Sequence, residues 1–181
     1  MHEAPWFDEP AREALRQAAA ALDAAELRGQ PYELSQALVQ VARGYRALRA
    51  LASAEAYLEL ALRWARAAHS TDHTVDLLCE LCEAAERVAQ ALDAQAPGSG
   101  HAARERARDH AFEASTLASR VADSSWECTV LLRISDVLDR CGDRDDAVQL
   151  QARALRLMGG NADASAADES MVPGLGRLAD S

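Results

Sequence analysis

The chain has 181 residues, enough for one domain or a short repeat array with a sizeable core. It carries 19 basic and 29 acidic residues for a net charge of −10, a balance that repels phosphate backbones and anionic lipid. About 40 alanines, one isoleucine and few aromatics favour helix over strand, which predicts an all-α fold.

All 19 basic residues are arginine, and Asn161 is the only asparagine. The N-terminal "MHEAPWFDEP" has neither a basic start nor an apolar core, so no signal peptide is expected. No apolar run approaches a bilayer span. A cytoplasmic location follows as the expectation, with Cys79, Cys82, Cys128 and Cys141 reduced.

Residues 1–9 form an arm before the helical region, with Asp8 and Glu9 as first-turn acids. Helical periodicity then runs from Pro10 to Met158. The first helix stops at "RGQP" (28–31), where Pro31 suits the opening turn of the next. Further breaks fall near "RALA" (49–52) and at "HSTD" (69–72), whose Ser70, Thr71 and Asp72 are natural caps. The last breaks are "QAPGSG" (95–100), "ADSS" (122–125) and "RCGDR" (140–144), leaving seven helices. From 159 to 181 the Gly/Ala/Ser-rich sequence reads as a mobile tail.

An internal repeat emerges when residues 38–62 are set against 131–155. Leu38, Val41, Ala42, Tyr45, Ala54, Ala61 and Leu62 fall opposite Leu131, Ile134, Ser135, Leu138, Ala147, Ala154 and Leu155. Large faces large and small faces small, the pattern two antiparallel helices need to interdigitate. A looser middle copy uses Leu78, Leu81, Cys82, Ala85 and Val88, then Ala107, Ala111 and Ala114. Ala18, Leu22 and Ala25 fit the second half of a preceding copy.

This pattern resembles the tetratricopeptide repeat, in its long-helix variety, over residues 10–158. The family's turn glycine stands at Gly142 but is Arg49 in the first copy, and its second-helix aromatic is Leu58 or Gln151. The resemblance implies antiparallel helix hairpins stacked as a short right-handed superhelix, whose first helices line a concave groove for a peptide or helix. Carried over by register, the groove residues are Gln36, Val39, Arg43 and Arg46 in the first copy. The middle copy supplies Asp76, Cys79, Glu83, Glu86 and Arg87; the last supplies Thr129, Leu132, Asp136, Asp139 and Arg140. Such a groove is basic at one end and acidic beyond, which suits a partner with basic residues opposite Glu83, Glu86, Asp136 and Asp139. Relatives that grip a C-terminal carboxylate use groove lysines and asparagines; this chain has no lysine, so that activity is not expected.

The stretch "HSTDHTVDLLCELC" (69–82) offers another class of function, a metal- or ligand-responsive sensor using His69, His73, Cys79 and Cys82. Against it, a redox Cys-x-x-Cys sits at a helix N-terminus, whereas this pair lies inside a helix. His73 would stand about 120° around the helix from Cys79 and about 9 Å along it, so one straight helix cannot assemble a tetrahedral site. Cys128 and Cys141 would be about 20 Å apart on a continuous helix, beyond disulfide reach.

"GLGRLA" (174–179) matches a dinucleotide-binding string but lacks the required strand and helix around it. "RERARDH" (104–110) reads as a solvated face paired with Glu105 and Asp109. No catalytic constellation is visible, so the expectation is a non-catalytic protein–protein interaction module (an adaptor, chaperone or assembly factor) without cofactor or metal, and with no nucleic-acid or membrane partner.

The final helix has no successor, so the side chains among Val148, Leu155 and Leu157 that face outward need covering. The tail's "MVPGLGRL" (171–178), a second copy or a partner could do so. "PWF" (5–7) reads as a staple on the first helix or a sticky arm, and the staple is the expectation.

Overall fold

A computed structural model describes residues 8–169, with side-chain environments through Gly159. The staple expected at 5–7 and the fold-back at 171–178 lie outside the described residues. Seven helices follow in order: α1 (Glu9–Arg28), α2 (Pro31–Ala47), α3 (Leu51–Ala67), α4 (Thr71–Gln95), α5 (His101–Ala118), α6 (Ser124–Cys141) and α7 (Arg144–Glu169). No strand occurs among the described residues. The chain is an all-α helical repeat, as its composition and periodicity predict.

Four of the helices, α1, α2, α3 and α6, end at a left-handed residue. Gly29, Arg49, His69 and Gly142 adopt left-handed conformations, with φ of 65°, 59°, 54° and 92°. The first and last copies turn by the same hydrogen bonds. Ala50 N donates to Tyr45 O at 2.9 Å, as Asp143 N does to Leu138 O at 2.9 Å. Arg49 and Gly142 thus hold the same turn, although only glycine is at ease there.

Helix α7 runs on to Glu169 instead of ending at Met158, so the tail expected from 159 begins as helix. Gly159 and Gly160 cost helix stability, about 1 kcal/mol each. The alanine-rich residues 162–167 favour the helix, and the next proline is Pro173.

Helices pair as hairpins α2/α3, α4/α5 and α6/α7, with α1 against α2 and each hairpin packed on the next. The repeat residues form the core: Leu38, Val41, Ala42, Leu78, Leu81, Cys82, Leu131, Ile134 and Ser135 are all buried. Helix α5 buries a stripe of alanines, Ala103, Ala107, Ala111, Ala114 and Ala118, while its larger apolar residues Phe112 and Leu117 are less covered. That stripe of methyl groups brings the α5 backbone close to α4. Ion pairs tie hairpins together; Arg106 on α5 reaches Glu55 on α3 through Nε (2.9 Å) and Nη2 (3.1 Å).

One pair of repeat-equivalent residues behaves differently. Leu62 is 5 % exposed beneath the following hairpin, while its counterpart Leu155 is 62 % exposed. Leu155, Val148 and Met158 are open on α7 because no further hairpin follows among the described residues.

Candidate protein-binding groove

Helices α2, α4 and α6 begin successive hairpins, and register places four rows of candidate residues along them. The first row, Gln36, Asp76 and Thr129, is exposed throughout. In the second row Val39 and Cys79 are buried, and only Leu132 is open. Arg43 and Asp136 of the third row are exposed, and Glu83 is half-buried. The fourth row holds a half-buried Arg46, a buried Glu86 and an exposed Asp139.

Cys79, expected to face a partner, is 1 % exposed and lies inside the core. Helix α6 covers it: α4 and α6 approach within 8 Å, Cα to Cα. Burial pushes the Cys79 thiol up to about 12, with Arg133 pulling it down and Asp76 adding to the rise. Cys82 is raised in the same way and lies in the field of Cys141 and Arg140. Neither thiol is a nucleophile or a ready ligand in that state.

The acidic middle of the groove is largely matched from within. Arg133 Nε donates to Glu83 Oε1 at 2.6 Å, and Arg87 lies 3.7 Å from the same carboxylate. Arg140 Nε stands 3.5 Å from Glu86, which also accepts from Gln90. Glu83 and Glu86 therefore face arginines of this chain, contrary to the expectation that both would meet a partner. The third-row and fourth-row acids that remain outward are Asp136 and Asp139, the latter 3.5 Å from the exposed Arg144.

Between α2 and α4 the surface opens into a cleft of about 990 Å³. No Cα of α2 comes within 8 Å of α4 among the described residues. Tyr32, Gln36, Gln40 and Arg43 form one wall; His73, Asp76 and Glu80 form the other, with Arg133 at the α6 side. Tyr32, Gln40, Glu80 and Arg133 were not among the residues expected from sequence, and His73 was expected only in the sensor reading. Most were within reach of it, since Tyr32 and Gln40 lie four residues either side of Gln36. His73 and Glu80 similarly lie three before and four after Asp76.

Long side chains span the cleft instead of backbones. Arg43 Nη2 reaches Glu80 Oε1 at 2.7 Å, and the Tyr32 and His73 rings lie 5.0 Å apart at 59°. Ser35 Oγ stands 2.8 Å from Ala61 O and 2.9 Å from His73 Nε2. A hydroxyl has one hydrogen and a carbonyl only accepts, so Ser35 donates to Ala61 and accepts from His73 Nε2–H. Burial holds His73 below its ordinary range, with Asp76 and Glu80 pulling the other way. The neutral ring then carries its hydrogen on Nε2 and leaves Nδ1 as an acceptor.

The four residues of the sensor reading are not brought together. His69 occupies the exposed left-handed turn after α3, His73 is turned to Ser35, and the two cysteines are buried near α6. Among the described residues no group of three or more His, Cys, Asp or Glu is placed to hold a metal ion.

Fold and site together define a helical-repeat protein with an open polar cleft between its first helices. No protein-family model matches the chain, and no curated protein does. Solved structures similar to it include one described as "DHF58 filament", 25 % identical with a TM-score of 0.46. That likeness covers 84 % of this chain and 81 % of the other. Another is the crystal structure of BtubC (BKLC) from P. vanneervenii, 16 % identical with a TM-score of 0.41. It covers 97 % of this chain and 81 % of that one.

Proposed function

We propose that this chain is a non-catalytic interaction module that takes a peptide or helical segment of another protein along the α2–α4–α6 face. The cleft of about 990 Å³ between α2 and α4 carries the reading, because it is open and polar and is lined by the exposed Gln36 and Asp76 of the first row. The shared turn at Arg49 and Gly142 supports the tetratricopeptide-like register from which the groove was assigned. Asp76 and Asp136 are exposed and make no ion pair among the described residues, so the segment is one with basic residues. Selection of peptides from a random library on the whole chain tests this. The expected outcome is an arginine- or lysine-rich set whose binding weakens about tenfold or more on reversal of Asp76 and Asp136 to arginine. An acidic or uncharged set, or affinity unmoved by the reversal, would falsify the proposal.

A second reading rests on the open end of the array. Val148, Leu155 and Met158 are exposed on α7 where the equivalent Leu62 is covered, and a second copy of the chain is the proposed cover. The solution mass should be that of a dimer and fall to a monomer in Leu155→Asp; a monomer at the outset removes this reading.

A further inference from the structure

The charges around the α2–α4 cleft can be balanced one by one. Arg28 is held by Glu33 at the rim, Arg43 by Glu80 Oε1 and Arg133 by Glu83. Asp76 is what remains: it lines the cleft and accepts no hydrogen bond among the described residues. Its partial burial at the cleft wall pushes its pKa up, with Arg133 and His73 opposing. Its carboxylate stays open to the cleft, without a donor from this chain, and can take one from a bound segment.

A second oxygen in the same wall is also unsatisfied. The Glu80 side chain is only 14 % exposed; Oε1 takes Arg43, while Oε2 is buried and has no hydrogen-bond partner. Asp76 and Glu80 are four apart on α4, so the two carboxylates lie on one face. Opposite them stands the Tyr32 ring, exposed and tilted against His73, whose Nδ1 is an acceptor. The open part of the cleft therefore offers the Asp76 carboxylate, the His73 Nδ1 acceptor and an aromatic face, while Glu80 Oε2 lies buried behind them and the positive groups named above are already engaged.

A planar cation with several donors uses that combination better than any other side chain. A guanidinium can bond one carboxylate through two N–H groups, reach a further acceptor, and lay its face on an aromatic ring. An ammonium is a compact point charge and cannot do all three at once. We infer that the α2–α4 cleft is an arginine-recognition subsite, in which Asp76 anchors the guanidinium of a partner's arginine and Tyr32 packs on its face. The assignment rests on reading this face as a protein-binding groove and supplies the side chain that groove selects.

The test titrates N-acetyl-L-arginine amide into the whole isotope-labelled chain and follows backbone amide resonances. N-acetyl-L-citrulline amide, nearly the same shape but uncharged, is the control. The arginine probe should shift the resonances of Tyr32, His73 and Asp76 saturably, and citrulline should not. Asp76→Asn, an exposed and nearly isosteric change, should weaken the arginine probe about tenfold, and Tyr32→Leu about threefold. Equal shifts with citrulline, or Asp76→Asn binding as wild type, would overturn the subsite. The groove reading fails separately. Selected peptides that bind this face but tolerate replacement of arginine by citrulline would sink the subsite and leave the groove. Saturable arginine binding with no selectable peptide would do the reverse.

Discussion

The seam between α4 and α6 and the seam between α2 and α4 join the first helices of successive hairpins, yet only one is closed. Cys79 and Cys82 lie in the closed seam, small enough to let the α6 backbone approach. In the open one, Tyr32 meets His73 and Arg43 meets Glu80, so side chains set the spacing and a cleft remains. Val39 and Cys79 hold the same register position on α2 and α4. Whether a cleft opens in this molecule thus depends on which side chains stand between neighbouring helices, with the repeat pattern itself unchanged.

The largest contrast between the seams should be chemical. A thiol raised to about 12 has almost no thiolate at pH 8, so native Cys79 should react with iodoacetamide on the order of a thousandfold more slowly than an ordinary cysteine. Cysteine placed at the exposed Gln36 should react as a free thiol, and mass spectrometry reads both rates. Similar rates would mean the α4–α6 seam opens readily.

Size should come next. Cys79→Phe has no space against α6 and should lose about 1–3 kcal/mol in urea unfolding. Val39→Phe can grow into the cleft and should cost under about 1 kcal/mol while lowering arginine-probe affinity. Equal costs would erase the distinction between the seams.

The hairpin turns offer a smaller test of the repeat equivalence beneath the comparison. Arg49→Gly relieves a left-handed φ of 59° and should stabilise by about 1 kcal/mol. Gly142→Ala, at φ 92°, should destabilise by a similar amount, on the order of 1 kcal/mol. Melting curves check both, and a destabilised Arg49→Gly would break the equivalence.

The smallest effect should be on pH dependence. Burial lowers the pKa of His73 in the open seam and of His110 on α5, so the unfolded chain binds their protons first. Their contribution is complete above about pH 6.5, the unfolded value, and is lost as pH falls toward the lowered folded values. His73→Gln and His110→Gln should each flatten the loss of melting temperature between pH 7 and 5. An unchanged slope in both would rule this source out.

Much of the fold was legible in sequence because helix stops are local. "RGQP", "HSTD", "QAPGSG" and "RCGDR" each fall at an observed boundary. The turn at Arg49 was legible only by aligning it with Gly142, since nothing about arginine signals a left-handed residue. The Gly159–Gly160 pair suggested a stop, but it is outweighed by the alanines after it. The groove was legible as a stripe and misjudged in depth. Asp76 and Thr129 are open as expected, whereas Cys79 and Glu86 share their face and are covered by α6.

Sequence by itself determined the helices, their hairpin pairing and the buried stripe, because periodicity and stop signals act within one or two turns. Only the tertiary structure decided that Glu83 and Glu86 are spent on Arg133 and Arg140 while Asp76 is not. Those pairings cross 50 or more residues of chain, and they depend on the distance between helices, which the size of a few seam side chains sets.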